Sequence, residues 1–118
     1  MSRDWLLYLD DIVQSAEKIG SYVQGLSYEE FRSNDVVLDA VLFNLQVIGE
    51  AAKKLPYEAI AAMPEVEWAS AAGFRDIIVH HYFALDTQIV WDVVVDRIPE
   101  LLRVARTLLE RIDKSRQA

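Results

Sequence analysis

RDWLLYLDDIVQSAEKIGSYV, residues 3–23, repeats its apolar side chains every three or four residues. This spacing places them on one face of an α-helix, and that face needs neighbouring helices to cover it. Gly25 follows the stretch as a helix-stop residue. We therefore predict an amphipathic first helix from about Arg3 to Val23. Its buried stripe consists of Leu6, Leu9, Ile12, Val13, Ala16, Ile19 and Val23.

A second long helix is predicted over residues 36–54. Its apolar positions also follow helical spacing and are Val37, Leu38, Val41, Leu42, Leu45, Val47 and Ile48. Before it, Ser27 and Glu30 form a capping-box pattern, which predicts a short helix that ends near Arg32. The small residues Gly49, Ala51 and Ala52 would let another backbone approach closely, either within the domain or across a dimer.

Prolines divide the second half of the chain. Pro56 ends the long helix, and Pro64 ends a short helical piece over residues 57–63. The periodicity then predicts a further helix over residues 68–82. The spacing and length of these segments, and the scarcity of alternating patterns, exclude a β-sheet protein.

The last helix is predicted over residues 87–113, with Asp86 as its N-cap. Pro99 should kink it near Arg97, because proline has no amide N–H and its ring crowds the preceding turn. We therefore expect an all-α, up-and-down bundle of four main helices plus short connecting helices. Residues 1–118 form one domain in this interpretation.

The composition limits the classes of function that the chain can have. The chain has no cysteine, a net charge of −7 and a pI of about 4.7. A non-specific nucleic-acid binder gains affinity by neutralising phosphates, so this balance argues against that role without excluding a local basic pocket. No secretory signal or membrane-spanning run is visible, and we expect a cytoplasmic protein. A hydrophobic content of 53% suggests a subunit interface.

GFRDIIVHHYFALD, residues 73–86, gathers polar and ionisable side chains in an otherwise apolar run. Arg75, Asp76 and Tyr82 lie there beside His80 and His81, the only two histidines of the chain. Asp76 and His80 are four residues apart and share a helix face, so the carboxylate can orient the imidazole. Arg75 and His80 are separated by about 140° and about 7.5 Å of rise on a straight helix.

Each of these residues also has an ordinary structural interpretation. Asp76 and His80 could form a surface pair worth a few tenths of a kcal/mol. Tyr82 could pack against a neighbouring aromatic side chain with its hydroxyl in water. A zinc site from Asp76, His80 and His81 is disfavoured, because adjacent helical residues point about 100° apart and no further ligand cluster is present.

The segment FRDIIVHHYF resembles the Arg-x-x-x-x-His-x-Tyr motif of the HEPN superfamily, specifically the HepT-like toxins of HEPN–MNT toxin–antitoxin pairs. Arg75, His80 and Tyr82 fill the three motif positions. The flanking segments AVLFNLQVIGEAAKKL (40–55), EWASAAGFRDIIVHHYFALDTQIVWDVV (67–94) and IPELL (98–102) also resemble that family. The resemblance therefore covers nearly the whole chain.

The resemblance implies an HEPN-like fold and an RNA endonuclease that needs neither a metal nor another cofactor. Arg75 and His80 would be catalytic, Asp76 and His81 would support them, and the products would carry 2′,3′-cyclic phosphate. It also implies a homodimer in which two motifs face each other. An MNT-type nucleotidyltransferase antitoxin would neutralise the enzyme by transferring AMP to Tyr82.

An alternative remains open: a non-catalytic helical module that binds a nucleotidyltransferase partner or a nucleotide. Outside the motif, Asn44 and Glu50 could support the pocket or serve only solvated or helix-capping roles. Several basic residues are candidate phosphate contacts or parts of a mixed solvated surface: Lys53, Lys54, Arg97, Arg103 and Arg106.

Overall fold

The computed structural model describes residues 4–68, 71, 73 and 86–117, and within these ranges it contains helices and no strand. The helices are α1 (Asp4–Val23), α2 (Tyr28–Arg32), α3 (Asp35–Lys53), α4 (Tyr57–Ala61), α5 (Thr87–Asp92), a π-helical turn (Val93–Arg97) and α6 (Ile98–Gln117). Trp68, Ala71 and Gly73 are also helical. The all-α prediction is confirmed, although the predicted helix over 68–82 lies mostly outside the described residues.

The core is built around α1, which packs against both α3 and α6. Leu9, Ile12 and Ile19 of the predicted stripe are completely buried. They meet apolar side chains from the two neighbouring helices, namely Val41, Leu42, Leu45 and Ile48 from α3 and Leu101, Val104, Ala105 and Leu108 from α6. The prediction that one apolar face of the first helix is covered by other helices is therefore correct.

The small residues of α3 are used inside the domain. Gly49, Ala51 and Ala52 are buried, and the two alanines belong to the core cluster. Packing within the domain is one of the two uses predicted for them. As a dimer surface the patch is a wrong prediction, because these residues are covered by the rest of the same chain.

Local signals set most helix ends. Gly25 adopts a φ of +79°, a left-handed conformation that stops the chain after α1. The capping box is present: the Ser27 side chain accepts from the Glu30 amide, and the Glu30 carboxylate accepts from the Ser27 amide at 3.0 Å. Asn34 caps α3 and Asp86 caps α5 through their side-chain oxygens.

The irregularity expected from Pro99 takes the form of a π-helical turn rather than a simple break. The Ile98 amide donates to the carbonyl of Val93, five residues earlier. Pro99 has no amide to donate, and its ring would crowd the Val95 carbonyl in a regular α-helix, so the wider turn relieves that contact. The chain continues helically to Gln117, beyond the predicted end at residue 113. The short helix α4 ends earlier than predicted, at Ala61.

The capping box predicts a pH-dependent contribution to stability. Hydrogen bonds from the backbone and side chain of Ser27 lower the pKa of the Glu30 carboxyl. A lowered pKa means that the ionised form stabilises the folded state above the unfolded-state pKa, and that this contribution is lost as pH falls through the folded-state pKa. We expect Glu30→Gln to lower the urea midpoint at pH 7. Once pH falls below the folded-state pKa of Glu30, the variant should match the wild type.

Glu58→Gln is the matched control for this measurement. Glu58 also lies in the first turn of a five-residue helix, but Pro56, the N-cap of that helix, makes no side-chain cap hydrogen bond. The difference in urea midpoint between Glu58→Gln and the wild type should be the same across the pH range. An equal loss at pH 7 and at low pH in Glu30→Gln would contradict the proposed charge effect.

Candidate functional site

The predicted motif residues Arg75, Asp76, His80, His81 and Tyr82 all lie outside the described residues. Their assignment therefore stays a prediction. The structure describes parts of the chain on both sides of them: residues up to Trp68, together with Ala71 and Gly73, before the motif, and Asp86 to Gln117 after it.

The frame before the motif is anchored in the core. Trp68 is only 6% exposed, and its indole N–H donates to the carbonyl of Met63 at 3.2 Å. Met63 is itself completely buried. Because a buried indole N–H needs an acceptor, this bond holds the start of the helical segment in one place against the core.

The frame after the motif is held by α2. The Tyr28 hydroxyl and Thr87 Oγ1 are 3.0 Å apart, although the residues are 59 positions apart in sequence. The Trp91 ring lies 5.0 Å from the ring of Phe31, centroid to centroid, and 6.2 Å from that of Tyr28. The side chain of Asp86 accepts from the Gln88 amide at 2.8 Å and fixes the first turn of α5. No local sequence pattern indicated the pairing of Tyr28 with Thr87.

The two polar residues singled out on the central helix differ in environment. Asn44 is 4% exposed, and its amide donates to the carbonyl of Ala40 at 2.9 Å. A solvated role for Asn44 is therefore wrong. Glu50 is half-exposed and lies 3.8 Å from the ammonium of Lys54. A supporting role for either residue toward the motif remains a prediction.

Three of the candidate phosphate contacts face carboxylates of the same chain. Arg97 lies 3.0 Å from Glu67, and Arg106 lies 3.6 Å from Glu17. Lys54 pairs with Glu50 and also sits above the ring of Tyr8, 5.1 Å from its centroid. These are exposed pairs of small individual stability, so a phosphate could displace the carboxylates, but it would have to compete with them.

A cavity of about 680 Å³ lies between α3, residues 65–67 with Ala71, and the stretch from α5 to α6. Its described lining carries five carboxylates, those of Glu65, Glu67, Asp92, Asp96 and Glu100, against the single guanidinium of Arg97. Sequence reasoning missed this cavity. The four-residue spacing of Asp92, Asp96 and Glu100 was the available signal. The negative electrostatic field of the cavity disfavours the binding of an RNA backbone there.

Residues 12–108 match a family described as Ribonuclease HepT-like. This range includes the entire motif segment and most of the described helices. The chain belongs to the HepT-like ribonuclease family, as the resemblance of its motif and flanking segments predicted.

Three relatives illustrate the relationship. The chain is 32% identical to "Putative RNase MJ0127" of Methanocaldococcus jannaschii, over 94% of this chain and 92% of the relative. It is 36% identical to "Putative RNase TTE0752" of Caldanaerobacter subterraneus, over 88% and 93%. It is 34% identical to "Probable ribonuclease HepT" of Thermococcus cleftensis, over 86% and 92%. No solved structure matches the chain significantly.

Two further observations concern the described residues. Among the described residues, no helix is both long enough and apolar enough to cross a bilayer. Within the same ranges, no three histidine or carboxylate side chains come together as a metal-binding group.

The bond between Tyr28 and Thr87 is testable by a double-mutant cycle. Tyr28→Phe and Thr87→Val each remove one partner of a part-buried hydrogen bond. We expect a coupling free energy of about 0.5–1.5 kcal/mol from urea unfolding of the two single variants and the double variant. Tyr57→Phe is the control, since Tyr57 is 83% exposed and should not couple to Thr87. A coupling energy near zero would show that α2 does not hold the start of α5 through this bond.

Proposed function

We propose that this chain is the ribonuclease toxin of a HEPN–MNT toxin–antitoxin pair and cleaves RNA without a metal ion. The observation that carries the proposal is the family match over residues 12–108, which encloses Arg75, His80 and Tyr82 at the family motif's spacing. The relatives whose names describe them as ribonucleases support the same reaction class.

The chemistry suits the side chains. RNA carries its own nucleophile, the ribose 2′-hydroxyl, and His80 can remove its proton because imidazole titrates near neutrality. The oxygen then attacks the adjacent phosphorus, and negative charge builds on the phosphoryl oxygens. Arg75 remains charged and can hold those oxygens through two hydrogen bonds. Expulsion of the 5′-oxygen, with a proton supplied to it, leaves a 2′,3′-cyclic phosphate and a free 5′-hydroxyl.

Supporting roles fall to the neighbours of these residues. Asp76 lies four residues before His80 and can accept one imidazole N–H, which would fix the tautomer that removes the proton. His81 would line the same cleft and contribute a second imidazole near the substrate.

A homodimer would complete the site. One imidazole cannot easily act as base and acid on opposite sides of one phosphate, whereas two facing motifs supply two histidines and two arginines. An outward stripe on α3 supports this assembly: Val36 is 79% exposed and Phe43 is 64% exposed. Ala40 and Val47 continue the stripe at helical spacing and are half-buried. A second copy would cover these side chains.

The charge distribution separates the proposed RNA site from the acidic cavity. Five carboxylates line that cavity, and they would repel phosphates. We therefore assign the substrate to the motif residues, with Arg106, which lies outside the described lining of the cavity, as a secondary contact. The overall charge of −7 makes weak non-specific RNA binding the expectation.

Tyr82 would be the residue through which the antitoxin inhibits the enzyme. A nucleotidyltransferase antitoxin that transfers AMP to its hydroxyl would place a bulky phosphodiester where the RNA phosphate must bind. The added negative charge would repel the substrate and could occupy Arg75, so the modification would block the enzyme.

A non-catalytic role is the second candidate, and one observation favours it. Three of the candidate phosphate contacts already face carboxylates of the same chain, which suits a protein-binding surface better than an RNA-binding one. In this interpretation the motif would dock a nucleotidyltransferase or a nucleotide. The cleavage assay separates the two functions.

Cleavage should be lost when the motif is changed. Purified protein, free of partner and incubated with total RNA in EDTA, should cleave it, and His80→Ala should abolish cleavage. Arg75→Ala should reduce the rate at least about 10²-fold, the usual effect of removing one donor to transition-state charge. Arg111→Ala is the matched control, because Arg111 is an exposed arginine outside both the motif and the candidate phosphate contacts. Full activity in both motif variants, with intact helical circular dichroism, would refute the assignment.

The dimer should depend on the outward face of α3. Light scattering at micromolar concentration should report twice the chain mass of 13.5 kDa. Phe43→Glu should give a monomer and abolish cleavage, because it places a charge in the proposed interface. Val95→Glu should remain dimeric, since Val95 is 48% exposed but lies on the π-helical turn. A monomer that still cleaves RNA would rule out the shared cleft.

The modification should map to Tyr82. Incubation with the antitoxin, ATP and Mg²⁺ should add nucleotide-sized mass increments in intact-mass spectrometry and stop RNA cleavage. Tyr82→Phe should fold normally, cleave RNA and resist both changes. Tyr57→Phe, which alters another exposed tyrosine, should be modified like the wild type. Undiminished modification of Tyr82→Phe would place the acceptor elsewhere.

A further inference from the structure

The cavity between α3 and α6 combines an apolar floor with an acidic rim. The floor is formed by Leu45, Ile48, Val66, Ile89, Val93 and Leu101. Leu45, Ile48 and Leu101 are buried, whereas Ile89 remains 53% exposed. A cavity of about 680 Å³ is large enough to take several side chains of a partner molecule.

The rim is formed by exposed carboxylates. Glu65, Asp92, Asp96 and Glu100 are exposed, as is Glu67. Arg97 is the one cation among the described lining residues, and its guanidinium lies 3.0 Å from Glu67. The described rim therefore carries an excess of negative charge around an apolar surface.

The π-helical turn contributes to this arrangement. Val93 and Arg97 bound the turn, Asp96 lies within it, and Asp92 immediately precedes it. All four line the cavity. The five-residue hydrogen-bond spacing brings Asp92 and Arg97 closer to a common face than an α-helix would, and π-helical turns frequently occur at functional sites.

We propose that this cavity docks a basic, amphipathic segment of a partner protein. Lysine and arginine stems would lie on the apolar floor while their charged heads meet the rim, since such side chains bury their methylene groups and keep their charge near polar partners. Apolar side chains of the same segment would contact Ile89 and Val93. The inference rests on the charge and shape of the cavity and is independent of ribonuclease activity.

Charge complementarity selects this occupant. An RNA backbone would be repelled by the five carboxylates. A second copy of this chain carries a net charge of −7 and would bring further acidic surface to an acidic rim. A basic segment gains from both the rim and the floor.

The test uses the full-length chain and a fluorescein-labelled helical peptide of about 14 residues, roughly four turns, with leucine and lysine at helical spacing. A matched peptide carries glutamate in place of every lysine. Fluorescence anisotropy should show binding of the lysine peptide that weakens with added salt, and no binding of the glutamate peptide.

Two triple variants with the same net charge identify the binding surface. The cavity variant combines Asp92→Asn, Asp96→Asn and Glu100→Gln. The control variant combines Glu58→Gln, Glu110→Gln and Asp113→Asn, which are exposed carboxylates away from the described lining. The cavity variant should lose about tenfold in affinity for the lysine peptide, and the control less than about twofold.

A second pair of variants tests the apolar floor. Ile89→Ser should weaken binding of the lysine peptide several-fold, whereas Val95→Ser should not. These two side chains are similarly exposed, at 53% and 48%, but only Ile89 lines the cavity. Circular dichroism and the urea midpoint should be unchanged in both.

Three results would overturn the proposal. Equal weakening by the two triple variants would mean non-specific attraction to an acidic protein. A change in oligomeric mass confined to the cavity variant would identify the occupant as a second copy. Competition by RNA that is lost in the same variant would assign the cavity to nucleic acid.

Discussion

The burial of one face of α1 is the interaction on which the other helices depend. Leu9, Ile12 and Ile19 have no exposed surface, and each such side chain contributes roughly 1.5–3 kcal/mol through its transfer from water. Because α1 lies against both α3 and α6, this face fixes how the two helices sit with respect to each other. The cavity, whose walls come partly from α3 and α6, therefore depends on contacts made by a helix that does not line it in the described part of the chain.

Much of the helix pattern could be predicted from the sequence because its signals are local. The helix predicted over 3–23 runs from Asp4 to Val23, and the helix predicted over 36–54 runs from Asp35 to Lys53. Apolar periodicity, the capping box and Gly25 each act within a few residues. The contacts of Tyr28 with Thr87 and of Arg97 with Glu67 join residues far apart in sequence, so no local pattern could reveal them. Pro99 signalled an irregularity, but its form depended on how the preceding carbonyls were accommodated.

The candidate site also has one part that the sequence indicates and another that it does not. The motif residues were assigned through the resemblance to the family, and their roles stay a prediction. Helix geometry alone leaves Arg75 and His80 about 140° apart and so does not assemble a site from one chain. The acidic cavity was harder to foresee, because its carboxylates come from two segments that meet only after folding. Together the proposals give the protein two sites with opposite preferences: the motif residues would bind a polyanion, and the cavity would bind a polycation. Salt should weaken binding at both, since both depend on charge.

The π-helical turn also has a consequence for how this chain aligns with its relatives. Val90, Val94, Ile98 and Leu101 are buried in succession, with two four-residue steps before a three-residue one. This is the spacing of one helix face, so the wider turn leaves the phase of α6 behind Pro99 unchanged and its buried face still meets α1. A homologous chain with one residue fewer between positions 93 and 97 could close the same segment as a regular α-helix and keep that core. Within this helix, a single-residue alignment gap therefore belongs at the turn, where a change in length leaves the packing of α6 in register.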